Sequence, residues 1–393
     1  MARDRRSRKW LLSLMALSLA SILALARPTP AQSDTGTSPW ISPTAVATGL
    51  REAAAPSLAF TRDGVEHAVW QTDGQIYYAA QMPGSKWDSP RRIASGTSPV
   101  LVLDTLGHLH ALFANQFMGN YEIYDITLVD GKWSLPVNVS HTSGFSMSPA
   151  VTAGSDGVLY VAWMDNSPGY WTIYMGRWNG VYWSNQPIAN ARGKAPTLGM
   201  SPDGTLFLAW QDRLPTLENP TGTFHIFLSE RRDGSWMLPI DVSARPQVES
   251  IGANLTTTAD GLAHLTWVDG GQEVRYCFGQ GGYWPDPVTV TRAAVQAQGP
   301  RILSERSQQL HIAWDEGDMI RAASATPMTL SWPKPSVVTA PLGTLNAIAM
   351  TLGPGNEVSL GWIQTLQPSD VDIYESWRPS TLTPRAWLPL IMR

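Results

Sequence analysis

Charge is scarce in this chain. Of 393 residues only 15% are Asp, Glu, Lys or Arg, the net charge is -4, and no basic block occurs beyond the first ten residues. That argues against a nucleic-acid binder held by phosphate contacts. Cysteine is nearly absent as well: Cys277 stands alone, so no intramolecular disulfide and no cysteine-built zinc site can form, and stability must come from packing. Lying between Tyr276 and Phe278, it reads as a small half-buried strand residue rather than a reactive thiol. There is no Gly-x-Ser-x-Gly elbow, no His-Glu-x-x-His and no phosphate loop. After residue 26 no run is long and apolar enough to span a bilayer as a helix.

What the chain does contain starts with an export signature. Arg3 to Lys9 carry five cations and one anion, and Trp10 to Ala26 is uncharged and apolar, the n-region and h-region of a secretory signal. The expected signal peptide spans 1–31, with cleavage after Ala31 preferred to cleavage after Ala26. An uncleaved anchor is the alternative. Residues 32–39 read as a Ser/Thr/Gly-rich flexible spacer. The expected location is therefore secreted or cell-envelope.

Tryptophan, glycine and proline are plentiful (18, 33 and 30 residues), which suits short strands joined by many turns. They are also periodic. Alternating apolar segments end at Trp70, Phe113, Trp163, Trp210, Trp267, Trp314 and Trp362, at intervals of 43 to 57 residues. Seven copies at this spacing predict an all-β, seven-bladed β-propeller of four-stranded antiparallel blades over residues 40–380. The first strand of each copy is rich in small residues and often follows a Pro (Pro56, Pro99, Pro149, Pro196, Pro300). Asp63-Gly64, Asp156-Gly157, Asp203-Gly204 and Asp260-Gly261 predict type I′ turns into the second strand. The fourth strand opens with a Trp followed by Pro, as at Trp87 and Pro90 or Trp236 and Pro239. Pro is tolerated only at an edge, so this strand is outermost. The seventh copy lacks that strand. The missing piece is Trp40-Ile-Ser-Pro43, so the last blade is expected to be closed by the N-terminal strand. Residues 381–393 form a tail beyond the repeats.

Packing accounts for what the copies share, so function is sought where they differ. The third-strand position held by Tyr77, Tyr124, Tyr174, Phe227 and Tyr374 becomes Arg275 and Arg321, and Arg301 replaces a small residue at the start of an innermost strand. All three are expected on one face of neighbouring blades, where guanidinium groups could grip a carboxylate or sulfate. The alternative is that Arg275 and Arg321 pair with Asp269, Glu273, Asp315 or Glu316. Blades 2 to 4 have the longest loops on that face, carrying Phe117, Tyr121, Tyr170 and Trp171. Such rings suit stacking against a sugar or filling a loop core. Asp73, Asn115, Asp165, Asp212, Asp269 and Asp315 recur once per blade, which fits turn formation better than a metal site. His67, His110, His264 and His311 share one repeat position and read as scaffold.

The motifs Asp-Gly-x-x-His-x-x-Trp and Asp-Gly-x-Trp, the latter at Asp130-Gly-Lys-Trp133 and Asp233-Gly-Ser-Trp236, resemble those of secreted bacterial proteins with sialidase-like, Asp-box propeller repeats. The resemblance covers about Trp40 to Trp377. Sialidases have six blades and a Ser-x-Asp-x-Gly-x-Thr-Trp box, whereas here Asp and Gly are adjacent and seven copies are counted. The resemblance implies an arginine cluster, for which Arg275, Arg301 and Arg321 are the candidates. The leading functional expectation is an exported, non-catalytic propeller that binds a glycan or acidic polysaccharide through Arg275, Arg301, Arg321, Tyr121, Tyr170 and Trp171. The alternatives are a sialidase-like glycoside hydrolase and a structural or protein-docking propeller of the cell envelope. A monomer without cofactor or metal is expected.

Overall fold

The computed structural model describes residues 39–379, apart from 118, 155, 216–218, 340–342, 368 and the side chain of Asn346. The expected signal peptide, most of the spacer and the C-terminal tail lie outside the described residues. Among those residues there are seven antiparallel sheets and no helix long and apolar enough to cross a membrane. Six of the sheets run from an inner to an outer strand in chain order, and the seventh takes its outer strand from the N-terminal end. The inner strands, Ala54–Phe60, Thr97–Leu103, Ser146–Ala153, Lys194–Met200, Ser250–Thr257, Gln298–Ser304 and Thr344–Leu352, contact one another in that order, and the last contacts the first. The chain is a seven-bladed β-propeller. In blades 2 and 4 the outer strand is split into short pieces, Lys132–Trp133 with Val137–Asn138 and Ser235–Trp236 with Ile240–Asp241, because Pro136 and Pro239 have no N–H to continue the ladder.

The ring closes as the missing seventh outer strand required. Thr44–Leu50 pairs with Asp370–Arg378, the third strand of blade 7. Ahead of it the Ile41 N–H donates to the Trp377 carbonyl (2.9 Å), and Ser376 Oγ donates to the Ile41 carbonyl (2.6 Å). Trp40 is buried against Ala313 and Ala322 of blade 6.

The two repeated aromatic positions do separate jobs. The second-strand Trp is fully buried and stacks on the residue opposite it in the third strand, as in Trp70 on Tyr77, Trp163 on Tyr174, Trp210 on Phe227 and Trp362 on Tyr374. The outer-strand Trp instead ties its blade to the preceding one. Trp133 meets Tyr78 edge-on at 5.3 Å, and Trp332 meets Tyr276 at 5.0 Å. Trp87, Trp183 and Trp284 each donate an indole N–H, at 3.2 Å, to Glu375, Asp125 and Glu230 of the blade before. Burying a ring of this size is worth more to a thin blade than any single hydrogen bond.

The Asp-Gly turns differ from expectation. In all seven blades the first loop residue donates to the carbonyl four positions on, and the fourth donates back to the carbonyl of the first, as in Thr61 N to Val65 O and Gly64 N to Thr61 O. Among the described loop residues only the fourth has positive φ: Gly64, Gly107, Gly157, Gly204, Gly261, Gln308 or Asn356. This is a type I turn closed by a left-handed residue, and Asp keeps ordinary φ. Two-residue turns with both φ positive occur elsewhere, at Asp73-Gly74, Asp130-Gly131, Asp233-Gly234 and Gly281-Gly282.

A second feature was not legible in the sequence. Inner strands carry a bulge whose residue has positive φ, Ala55, Ser98, Ser148, Ala195 and Gly299 directly before a Pro, and Gly252 in blade 5. A bulge bends its strand. It therefore sets the direction of the few residues at the upper end of each inner strand.

The shared histidines act as staples across this scaffold. His264 Nδ1 lies 2.8 Å from Tyr276 Oη and Nε2 2.9 Å from Thr258 Oγ1, and His67 makes the same pair with Tyr78 and Thr61. His311 uses Ser324 and Glu305, and His110 uses Asp125 and Asp104. Burial pushes His67 and His264 down to about 4. Cys277 is free and buried, and burial pushes its thiol up, so it is an inert packing residue.

Candidate binding face

Antiparallel alternation sends the loops between second and third strands, and the connections from each outer strand to the next inner strand, to one end of the ring. This upper face carries the long loops of blades 2 to 4. It also carries the upper ends of the strands that hold the three arginines.

The arginines do not converge. Arg275 stands opposite Trp267 and Arg321 opposite Trp314, in place of the stacking aromatic, whereas Arg301 pairs with Ala313 on the other side of its sheet. Because side chains alternate across a strand, each lies at a different blade interface. Trp267 packs with blade 4, Trp314 with blade 5, and Ala313 with blade 7. Arg275 is also held by neighbouring groups. Its Nε is 3.4 Å from Asp269, its Nη1 donates to Thr289 Oγ1 (2.6 Å), and its Nη2 donates to the Pro287 carbonyl (2.8 Å). Glu273 is 3.6 Å away and binds Arg245 at 2.8 Å, and Arg245 reaches Asp269 as well. Burial, with the Arg245 charge adding, lowers the Arg275 pKa, and the two acids oppose that shift. Arg321 pairs with Glu316 at 3.4 Å. The expected cluster is thus replaced by pairing with neighbouring acids at Arg275 and Arg321.

Asp165 and Asp269 among the recurrent carboxylates are likewise committed to structure. Asp165 is fully buried and accepts from the Trp163 indole (3.2 Å), Ser146, Thr142 and Ser167. Asp269 accepts from the Trp267 indole (2.6 Å) and Ser250. Asp73 has positive φ in a tight turn. Asp315 is buried and pushed up to about 6. Among the described residues no three His, Cys, Asp or Glu side chains gather as metal ligands.

The loop aromatics are differently placed. Tyr170 is 45% exposed and Trp171 half-buried, and each has a cation over its ring: Arg192 at 4.4 Å from the Tyr170 centroid and Lys194 at 5.4 Å from that of Trp171. Neither cation has a carboxylate within 4 Å among the described residues. Beside them Arg213 lies 4.1 Å from the Phe224 ring and 3.7 Å from Glu249. Tyr121 meets Phe145 edge-on at 6.2 Å, and Phe117, 56% exposed, meets Tyr124. Phe117 and Tyr121 thus pack within their own loop cluster, while Tyr170 and Trp171 present a ring and a charge together.

Local backbone chemistry holds the two cations in place. Arg192 ends the outer strand of blade 3 and Lys194 begins the inner strand of blade 4. Gly193 between them has φ +135, its N–H donates to the Trp171 carbonyl (3.0 Å), and a Cβ there would stand 2.6 Å from Trp210 Cδ1. Only glycine fits. The Trp210 indole donates to the Arg192 carbonyl (2.6 Å), which fixes the chain against the core. Arg192, Lys194 and Arg213 were missed by sequence reasoning, which compared copies strand by strand. The available signal was Arg-Gly-Lys in the connection that follows the aromatic loop of blade 3.

No family model matches the chain, and no curated protein matches it. Solved structures do. A family 25 polysaccharide lyase, an ulvan lyase bound to -[GlcA(1-4)Rha3S]-, superposes with TM-score 0.59 at 10% identity over 84% of this chain and 94% of that one. The polysaccharide lyase Uly1 gives 0.56 at 11% identity over 90% and 92%. The α-L-arabinofuranosidase of Fusarium graminearum, as a point mutant in complex with an iminosugar inhibitor, gives 0.52 at 12% over 74% and 98%. At these identities the likeness is one of fold. It places the distant resemblance seen in the repeats among propellers named for carbohydrate chemistry.

Proposed function

We propose that this is an exported propeller that binds an acidic polysaccharide along the upper rim of blades 3 and 4. One observation carries the reading: Tyr170 with Arg192 and Trp171 with Lys194 are accessible ring-and-cation pairs whose charges have no counter-ion among the described residues. An aromatic face takes up the apolar side of a sugar ring, and a neighbouring guanidinium or ammonium takes up a uronate or sulfate. Fold neighbours named as polysaccharide lyases, one holding a uronate-containing saccharide, support a ligand of this class. The test is binding to immobilised acidic and neutral polysaccharides. Wild type should retain the acidic polymers and Tyr170→Ala/Trp171→Ala should not; full retention by the double variant removes the rim from consideration.

The second reading is an enzyme acting on such a polymer, favoured because those neighbours are enzymes. It predicts that incubation with the bound polysaccharide shortens it. Unchanged polymer length after prolonged incubation leaves binding alone.

A further inference from the structure

The bulged inner strands bring one residue of every blade to a common height around the axis, the partner of the position before the core aromatic. These are Ser57, Val100, Ala150, Thr197, Asn254, Arg301 and Ala349. Six are uncharged. Two of those bridge to the next blade: the Leu101 N–H donates to Ser57 Oγ (3.0 Å) and the Ile302 N–H to Asn254 Oδ1 (2.8 Å). A guanidinium has no acceptor, so Arg301 cannot repeat that bridge to blade 7. Its Nη1 makes one long bond (3.3 Å) to the carbonyl of its own neighbour Pro300, and among the described residues Nε and Nη2 make none. Arg275, Arg321 and Arg245 all have a carboxylate within 4 Å, and Arg301 has none among the described residues. Burial lowers its pKa without any acid to oppose the shift, yet an arginine stays charged in proteins.

We infer that Arg301, on the inner strand of blade 6 where it faces blade 7, is an anion site that takes a small free oxyanion of the sulfate or carboxylate class. A half-buried cation between two blades that lacks a counter-charge among the described residues presents an uncompensated positive field to any anion that reaches it. Its planar fork matches two oxygens of such an anion. Thr197 and Asn254 stand at the same height with hydroxyl and amide groups. At their lower ends the inner strands open into a cavity of about 400 Å³ whose lining includes Met200, Thr257, Ser304, Glu305, Arg306 and Leu352. Ser304 is three residues from Arg301, roughly 10 Å along the strand, so this mouth lies on the face away from the rim. The inference is independent of the rim and of any polysaccharide.

The test is thermal unfolding of the whole chain at constant ionic strength, titrated with low-millimolar sulfate, for wild type, Arg301→Lys and Arg301→Met. A ligand that binds only the native state raises Tm with its concentration. Wild type should show a saturable rise, Arg301→Lys a weaker one and Arg301→Met none. Equal shifts in wild type and Arg301→Met, or no shift in wild type, overturn the inference. So does a rise produced by an acidic oligosaccharide but not by sulfate. If Arg301→Met does not fold, wild-type crystals soaked in selenate decide the matter. An anomalous peak within hydrogen-bond distance of the Arg301 guanidinium upholds the site, and its absence at that position rejects it.

Discussion

Arg275 and Arg192 are both cations near the upper face of the ring, and both occur beside a large aromatic ring, but they are bound in opposite ways. Arg275 sits inside the sheet opposite Trp267, only 8% exposed, with Asp269 and Glu273 beside it. Arg192 is exposed, its backbone held by Trp210 and its side chain over Tyr170, with no acid among the described residues. A charge withdrawn from water must be paired within the protein. A charge on the rim is already solvated and can exchange that water for a ligand. The same residue type is therefore scaffold in blade 5 and a candidate contact in blade 3.

The sharpest way to break the comparison is Arg275→Ala. It leaves Asp269 buried, with Arg245 only partly compensating, and should cost about 3 kcal/mol in urea unfolding. A loss below about 1 kcal/mol would return Arg275 to the candidate ligand groups. The paired scaffold should also show itself in pH dependence. His67 and His264 have folded values near 4, below the 6.5 of the unfolded chain, so the unfolded state takes up protons first as pH falls. Their contribution is complete above about pH 6.5 and is lost progressively toward 4, on the order of 3 kcal/mol for each histidine. Denaturation midpoints across that window check it, and His264→Gln should flatten the slope.

On the rim, Tyr170→Ala/Trp171→Ala should weaken acidic-polysaccharide binding about tenfold or more while moving stability by roughly 1 kcal/mol at most. The smallest expected effect on stability belongs to Arg192→Ala/Lys194→Ala, within about 0.5 kcal/mol. In that variant the remaining affinity should depend less on salt than in wild type, because two screened contacts have been removed. Binding measured at two ionic strengths tests this. An unchanged salt response would mean that the rim cations do not touch the ligand.

Much of the scaffold was legible in the sequence. Trp at one interval and Trp-x-x-Pro at another placed the second and outer strands, and the shortage of one outer strand at the C-terminus pointed to Trp40 and the closing strand. Those inferences hold because strand alternation, edge prolines and aromatic burial are local requirements repeated seven times. The turn type was misread because Asp-Gly satisfies both a two-residue turn and a type I turn ending in a left-handed glycine. Loop length decided between them.

Asp260 to Asp269, with its His, Trp and acid, shows the division most clearly. Sequence alone determined that it was one copy of a repeated scaffold motif, and the bonds of His264 to Thr258 and Tyr276 give its histidine a structural role. It also singled out Arg275, Arg301 and Arg321 as departures from the repeat. Only the tertiary structure decided that these three lie at separate blade interfaces, that two are paired, and that Arg192 and Lys194 stand over the rings of Tyr170 and Trp171. The physical reason is range. Alternation and turn chemistry act within a few residues, whereas the partner of a side chain depends on which side of its sheet it leaves and on which blade the closed ring brings against that side.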